Sequence, residues 1–198
     1  MTFTSKDVQD LRQRTGAGMM DCKRALEKTG GDIDKAIESL RASGIAKAEK
    51  RVDKEASEGL ISSYIHHNGK VGVLVEVNCE TDFVARTDDF RNLVKEIALH
   101  IASAAPLSVN REDVPAENVE KERRIYEEQV RASGKPDNLV GKIVDGKVES
   151  YYKEVVLLSQ PWIRDPKKTI ADLVKETSSK VGEKIAVRRF ARFRIGSE

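Results

Sequence analysis

Two cysteines, Cys22 and Cys79, are all that 198 residues contain. They lie far apart, exclude a disulfide framework, and read as free buried thiols of a reducing compartment. A charge excess is missing as well: 35 Lys and Arg against 33 Asp and Glu leave a formal +2. Proteins held to nucleic acid mainly through phosphate contacts carry a much larger basic excess, so no direct nucleic-acid role is expected. No stretch approaches the ~18 consecutive apolar residues of a membrane span, and no apolar run follows Met1. A soluble, cytoplasmic protein without membrane contact is therefore expected. Chemistry-bearing motifs are absent too. Gly16-Ala17-Gly18 is followed by Met-Met-Asp rather than by the Lys-Ser/Thr of a phosphate loop. No serine has nucleophile-elbow context. Cys22 has no nearby histidine and Cys79 sits in an apolar strand. His66-His67 lacks a third ligand at helical or hairpin spacing, so neither metal nor cofactor is expected. Without a self-contained active site, the chain reads as a binding protein that acts on a partner, not as an enzyme.

What is present is organised around Val71 to Arg86, VGVLVEVNCETDFVAR. Val71, Val73, Val75, Val77 and Cys79 alternate with Gly72, Leu74, Glu76 and Asn78, the pattern of a strand with one buried face. Thr81-Asp82 then has the chemistry of a helix start, because short side-chain oxygens satisfy free backbone N–H groups. Phe83 follows at this corner, flanked by Asp82 and Arg86. It plugs either the core beneath or a partner's pocket. Spacing alone favours the core, since aromatic rings bury so much apolar area, but periodicity does not decide.

With 39% hydrophobic and 34% charged residues, the core must be thin or divided. Three short helices fit the first fifty residues. Thr4 or Ser5 caps the first, which carries Val8 and Leu11; Met19 to Lys28 forms the second, with Ala25 and Leu26 inward. Asp32 caps the third, whose Ile33, Ala36, Ile37 and Leu40 share a face and whose stop is expected at Gly44. Met19 and Met20 are adjacent and cannot both enter one core, so one is expected to be exposed as a soft contact for a partner. Ala46 to Glu58 reads as a solvated helical linker. It sets a boundary between residues 1–53 and 54–198.

Gly59 to His67 is expected to pair with the Val71 strand through the turn signal Asn68-Gly69. Beyond the corner, Phe90, Leu93, Val94, Ile97, Ala98 and Ile101 form the stripe of a helix that covers the sheet and ends before Pro106. Ala116 to Ser133 carries the narrow stripe Val119, Tyr126 and Val130. Pro136 to Leu158 carries Leu139, Ile143, Val148, Tyr152, Val155 and Val156. Together they predict a projecting antiparallel helical hairpin over about 116–158. Gln160 to Pro166 reads as a loop, Ile170 to Val181 as a helix. Lys184 to Ile195 reads as a strand with Ile185, Val187, Ala191, Phe193 and Ile195 on one face, interrupted by Arg189. Its Arg188, Arg192 and Arg194 support an alternative role as an RNA- or ribosome-associated protein, although such alternation is also ordinary edge-strand protection. A third alternative, a metal- or thiol-dependent enzyme using His66, His67 and Cys79, predicts bound metal or reactivity toward alkylating agents. The fold class is α+β: helices first, then a small antiparallel sheet covered by helices.

At the level of motifs the residues say more. LRQRTGAGMMDCKRALEKTGGDIDKAIESLRASG (Leu11 to Gly44) and VEVNCETDFVAR (Val75 to Arg86) closely resemble bacterial elongation factor Ts, the family of nucleotide-exchange factors for the GTPase elongation factor Tu. KEVVLLSQPWIRD and VGEKIAVRRFARF resemble its closing segments, so the likeness spans essentially the whole chain. The resemblance implies that the first fifty residues form a ubiquitin-associated-like module docking on the partner's GTPase domain through Leu11, Arg12, Met19 and Met20. It implies that Thr81, Asp82, Phe83 and Val84 approach the partner's Mg²⁺ and phosphate site, with Phe83 as a wedge. This reverses the preference for the core. Longer members carry two related core subdomains; here a single strand–corner–helix unit occurs, without internal repeat. The short form implies a homodimer through the sheet region, with Lys184 to Ile195 contributing.

Overall fold

The computed structural model describes residues 3–49 and 54–196. Its α-helices are α1 (Ser5–Thr15), α2 (Met19–Lys28), α3 (Ile33–Glu49), α4 (Asp82–Ala85), α5 (Asp88–Ala104), α6 (Ala116–Ala132), α7 (Asp137–Val155) and α8 (Ile170–Val181). The strands are β1 (Glu58–Ile65), β2 (Val71–Cys79), β3 (Pro161–Trp162), β4 (Asp165–Thr169) and β5 (Ile185–Arg194). β1, β2 and β5 form one sheet in that order, and β3 pairs with β4. The class is α+β, as the periodicities indicate. Among the described residues no helix is long and apolar enough to cross a membrane.

The chain divides into two compact units: Met1–Leu60, Val77–Leu93 and Asp172–Ala186 in the first, and Ile61–Glu76, Val94–Ala171 and Val187–Glu198 in the second.

In the first unit, α1 opens with a complete capping box: the Thr4 hydroxyl accepts the Asp7 N–H, and the Asp7 carboxylate accepts the Thr4 N–H at 2.6 Å. Those bonds hold the Asp7 carboxyl below its ordinary pKa. Val8, Leu11, Cys22, Ala25, Leu26 and Ala36 make a small shared core, closed by Phe3, Ala17, Ile33, Ile37 and Leu40. The expected stop at Gly44 is not there; α3 runs on to Glu49. Gly44 serves a close approach instead, since a Cβ on it would stand 2.2 Å from the Ser179 hydroxyl of α8. Of the expected helical linker, Lys50 to Asp53 lie outside the described residues, as does the boundary drawn at 53. Lys54 to Ser57 are not helical.

In the second unit, the β1–β2 hairpin turns where Asn68-Gly69 predicts, with Gly69 at φ +68 and the His66 N–H bonded to the Val71 carbonyl at 2.9 Å. Tyr64, Val71, Leu99 and Ala102 line one cleft. Arg192 of β5 donates to the Ala102 carbonyl at 3.1 Å, so α5 lies along the sheet. The alternation expected for β5 slips by one residue at Arg188-Arg189. Val187 is buried, both arginines are exposed, and beyond them Phe190 and Arg192 are half-buried while Ala191 and Phe193 face solvent. Two charged residues in succession cannot both be hidden, and the strand shifts its inward set to accommodate them.

α6 and α7 pack as a hairpin whose seam is Val130, Val140, Val144 and Val148, flanked by Val119, Tyr126, Ile143 and Tyr152. Val148 and Tyr152 take their expected places on α7, whereas over its first two turns the buried positions fall one residue beyond the expected Leu139 and Ile143. Leu139-Val140 and Ile143-Val144 are apolar doublets at i, i+4 spacing, and either member of each satisfies the helical period. The valines take the seam and Leu139 is exposed. The loop expected over Gln160 to Pro166 is a short antiparallel hairpin, pairing Pro161 with Thr169 and Trp162 with Asp165.

Candidate functional site

The corner at Thr81 to Arg86 belongs to the first unit. β2 ends at Cys79, whose thiol donates to the Thr81 carbonyl at 3.1 Å. Burial, reinforced by the Glu183 carboxylate, pushes that thiol up to about 11, so at neutral pH it is an inert packing group. Both cysteines are free and buried.

Thr81 is extended (φ −131, ψ 155) and caps α4, its Oγ1 accepting the Val84 N–H at 3.4 Å. A single helical turn has no intrinsic stability, so the bonds around it decide its shape. Asp82 pairs with Arg86 at 2.7 Å. The Thr87 hydroxyl donates to the Val84 carbonyl at 2.7 Å and accepts the Phe90 N–H at 3.3 Å, linking α4 to α5. Val84 and Ala85 face the core. Phe83 is thereby turned outward, with 79% of its surface exposed. A phenylalanine so exposed, on a fully capped turn, is no core plug.

The N-terminal residues singled out by the sequence divide in two. Arg12 is exposed, and Met19 and Met20 are both exposed, at 40% and 63%. The α2 core positions are already taken by Cys22, Ala25 and Leu26. Leu11, expected against a partner, is fully buried in the three-helix core. Val84 is likewise buried. Both side chains occupy the inward face of their helices. All eight residues fall in the same compact unit.

A further group at the corner gave no signal in sequence. The Glu183 carboxylate accepts the Thr81 N–H at 3.0 Å and the Thr81 hydroxyl at 2.7 Å, from 102 residues away. Glu80 accepts the Lys184 N–H at 2.7 Å. No periodicity distinguishes Glu183 from any other charged residue after a helix-ending glycine.

In the second unit, Ile61, Ile65, Leu74 and Phe193 are exposed on the three strands of the main sheet, and Ile195 is exposed just past the end of β5. The arginines of β5 are in part engaged: Arg189 pairs with Glu76 at 2.7 Å and Arg192 with the Ala102 carbonyl. The His66 imidazole meets the Tyr64 hydroxyl at 3.0 Å. Among the described residues no group of three His, Cys, Asp or Glu side chains is placed to hold a metal ion.

The sequence model of the family described as Elongation factor TS matches residues 4–197. The chain is 54% identical over 196 residues to elongation factor Ts of Fervidobacterium nodosum, covering 99% of this chain and 100% of that protein. It is 56% identical over 196 residues to elongation factor Ts of Coprothermobacter proteolyticus, with the same coverage of each. With elongation factor Ts of Geobacter sulfurreducens it shares 51% identity over 196 residues, 99% of this chain and 91% of that one.

Proposed function

Because the chain belongs to the elongation factor Ts family of translation elongation factors, we propose that it is the guanine-nucleotide exchange factor of elongation factor Tu, acting in the cytoplasm by inserting Phe83 near the partner's nucleotide site. The observation that carries this reading is the exposure of Phe83 on a capped, outward-facing turn. An isolated exposed phenylalanine forgoes burial worth about 1.5–3 kcal/mol, an arrangement that is useful when another protein supplies the pocket.

GDP is held in such GTPases by Mg²⁺ and by backbone N–H groups of the phosphate loop. A ring driven between helices lining that site shifts both. Asp82, paired with Arg86 at the base of the ring, brings negative charge toward the Mg²⁺ shell. Nucleotide and factor then bind with negative, reciprocal coupling. Each tenfold loss of GDP affinity costs about 1.4 kcal/mol, so one ring accounts for roughly one to two factors of ten. The remainder comes from docking of the module at residues 1–53, through the exposed Arg12, Met19 and Met20. The corner that bears Phe83 lies in the same compact unit as that module. No covalent bond is made or broken, and the factor is not an enzyme.

The exposed apolar residues Ile61, Ile65, Leu74, Phe193 and Ile195 support a homodimer through the main sheet. A second copy covers them and supplies the subdomain that longer relatives hold within one chain. The engagement of Arg189 and Arg192 within the fold weighs against a phosphate-tracking role for β5.

The direct test is release of a fluorescent GDP analogue from elongation factor Tu. Catalytic amounts of the protein accelerate release by orders of magnitude; release at the spontaneous rate would sink the proposal.

A further inference from the structure

The turn that carries Phe83 is four residues long, and a turn that short takes its orientation from whatever holds its first residue. Thr81 is held through both its side chain and its backbone. Its hydroxyl donates to one Glu183 oxygen at 2.7 Å, leaving the lone pairs to accept the Val84 N–H, while its backbone N–H reaches the other Glu183 oxygen at 3.0 Å. These are charge-assisted bonds, the stronger class. The arrangement is reciprocal. Glu80, one residue before Thr81, accepts the N–H of Lys184, one residue after Glu183, at 2.7 Å, and the Lys54 ammonium lies 3.7 Å from the same carboxylate.

Glu183 is itself fixed. α8 ends at Gly182, whose φ of +79 only glycine adopts without strain and whose N–H bonds the Ser178 carbonyl at 2.9 Å. The buried Ser178 hydroxyl donates to the Glu183 carbonyl at 2.5 Å. Lys180 adds a second tie beyond the corner, 2.6 Å from Asp89 at the start of α5. α8 also meets the three-helix module. Arg41 of α3 pairs with Glu176 at 2.9 Å, Gly44 admits Ser179, and a Cβ on Gly16 would stand 2.5 Å from Lys180 Cε. One helix therefore touches both the module bearing Arg12, Met19 and Met20 and the turn bearing Phe83.

We propose that Glu183 is a positioning residue for Phe83, and that α8 with its C-terminal turn is the brace that sets the ring relative to the docking surface of the N-terminal module. This rests on the exchange reading. Docking on one surface then constrains where the ring can go, and the free energy of docking reaches the partner's nucleotide site through Glu183.

The test compares wild type, Glu183→Ala, Glu183→Gln, Phe83→Ala and the Glu183→Ala/Phe83→Ala double variant in GDP-analogue release from elongation factor Tu, titrated to saturation. Glu183→Ala lowers the maximal rate about tenfold while the half-saturating concentration stays within about threefold, as for a group displaced without loss of docking. Glu183→Gln keeps one acceptor oxygen and falls between. In the Phe83→Ala background, Glu183→Ala changes the maximal rate less than about twofold, because a residue that acts through the ring has nothing left to act on. An unchanged maximal rate in Glu183→Ala overturns the proposal, and so does a full further loss in the double variant. Should Glu183→Ala fail to fold, Glu183→Gln alone and combined with Phe83→Ala decides by the same non-additivity. Inactive wild-type protein overturns the exchange reading itself, whereas an active wild type with an indifferent Glu183 overturns only the brace.

Discussion

Truncating Phe83 to alanine separates a wedge from a core residue, because the two roles differ in what they cost the free protein. With 79% of its surface exposed, the ring contributes only about a fifth of the ~1.5–3 kcal/mol of a fully buried phenylalanine. Stability should drop by less than about 0.7 kcal/mol, a melting shift of at most ~3 °C for a chain of this size. The other four-fifths is available to a partner. Its loss amounts to ~1.2–2.4 kcal/mol, or roughly 7- to 60-fold. Stopped-flow release of a fluorescent GDP analogue from elongation factor Tu, over a titration of the factor, resolves where that loss falls. The expected outcome is a maximal rate reduced within that range, with the half-saturating concentration nearly unchanged, since a wedge acts on the nucleotide-bearing state after docking. A melting temperature lowered by ~6 °C or more with normal exchange would return Phe83 to the core. A loss confined to the half-saturating concentration would make it a docking contact and would refute the wedge.

The sheet face offers a second perturbation. Phe193→Asp places a charge on a residue that is 68% exposed, and light scattering at micromolar concentration should shift from a dimeric to a monomeric mass; wild type already monomeric would refute dimerisation. His100 tests a buried pair. Its Nε2 bonds Gln160 Oε1 at 2.9 Å, and its Nδ1 accepts the Ile163 N–H at 3.4 Å, an arrangement that requires the neutral ring. Burial depresses its pKa below 6.5, opposed by the Gln160 hydrogen bond. The stability this confers is complete above pH 6.5 and is lost as pH falls through and below that value. Melting of wild type between pH 7.5 and 5 should therefore decline more steeply than that of His100→Gln; parallel profiles would show that another group governs acid sensitivity. Within the helical hairpin, Val144→Ala removes buried methyls and should cost ~1–2 kcal/mol in urea unfolding, against less than ~0.5 kcal/mol for the exposed Leu139→Ala. The reverse order would restore the seam drawn from the sequence.

The N-terminal module was legible because its signals are local. Thr4 or Ser5 offers a cap, Gly16 and Gly30-Gly31 end helices, and Val8, Leu11, Ala25, Leu26 and Ala36 recur at helical spacing. The β2 alternation and the Asn68-Gly69 turn were legible for the same reason. Where two solutions satisfied one period, sequence reasoning chose wrongly. It took Leu139 over Val140 on α7, and it continued a single alternation through Arg188-Arg189 on β5. Gly44 misled because a glycine that ends a helix and one that admits a neighbouring helix are the same residue. Only Ser179, brought beside it by α8, tells them apart. Phe83 was ambiguous on spacing, and the resemblance to a family of exchange factors, not the pattern, turned it outward before its exposure was known.

The sequence by itself determined most of the helices and the β1, β2 and β5 strands, but not the β3–β4 hairpin, which reads as a loop. It also determined, through motifs that span the chain, the family to which the protein belongs. Each of these depends on residues a few positions apart, where side-chain period and capping chemistry operate. The tertiary structure decided that Leu11 and Val84 are buried and that both methionines are exposed. It also joined Thr81 to a carboxylate 102 residues away. Such pairings are fixed by how helices and strands pack against one another, and no local period records which charged residue will arrive beside a turn once they have done so.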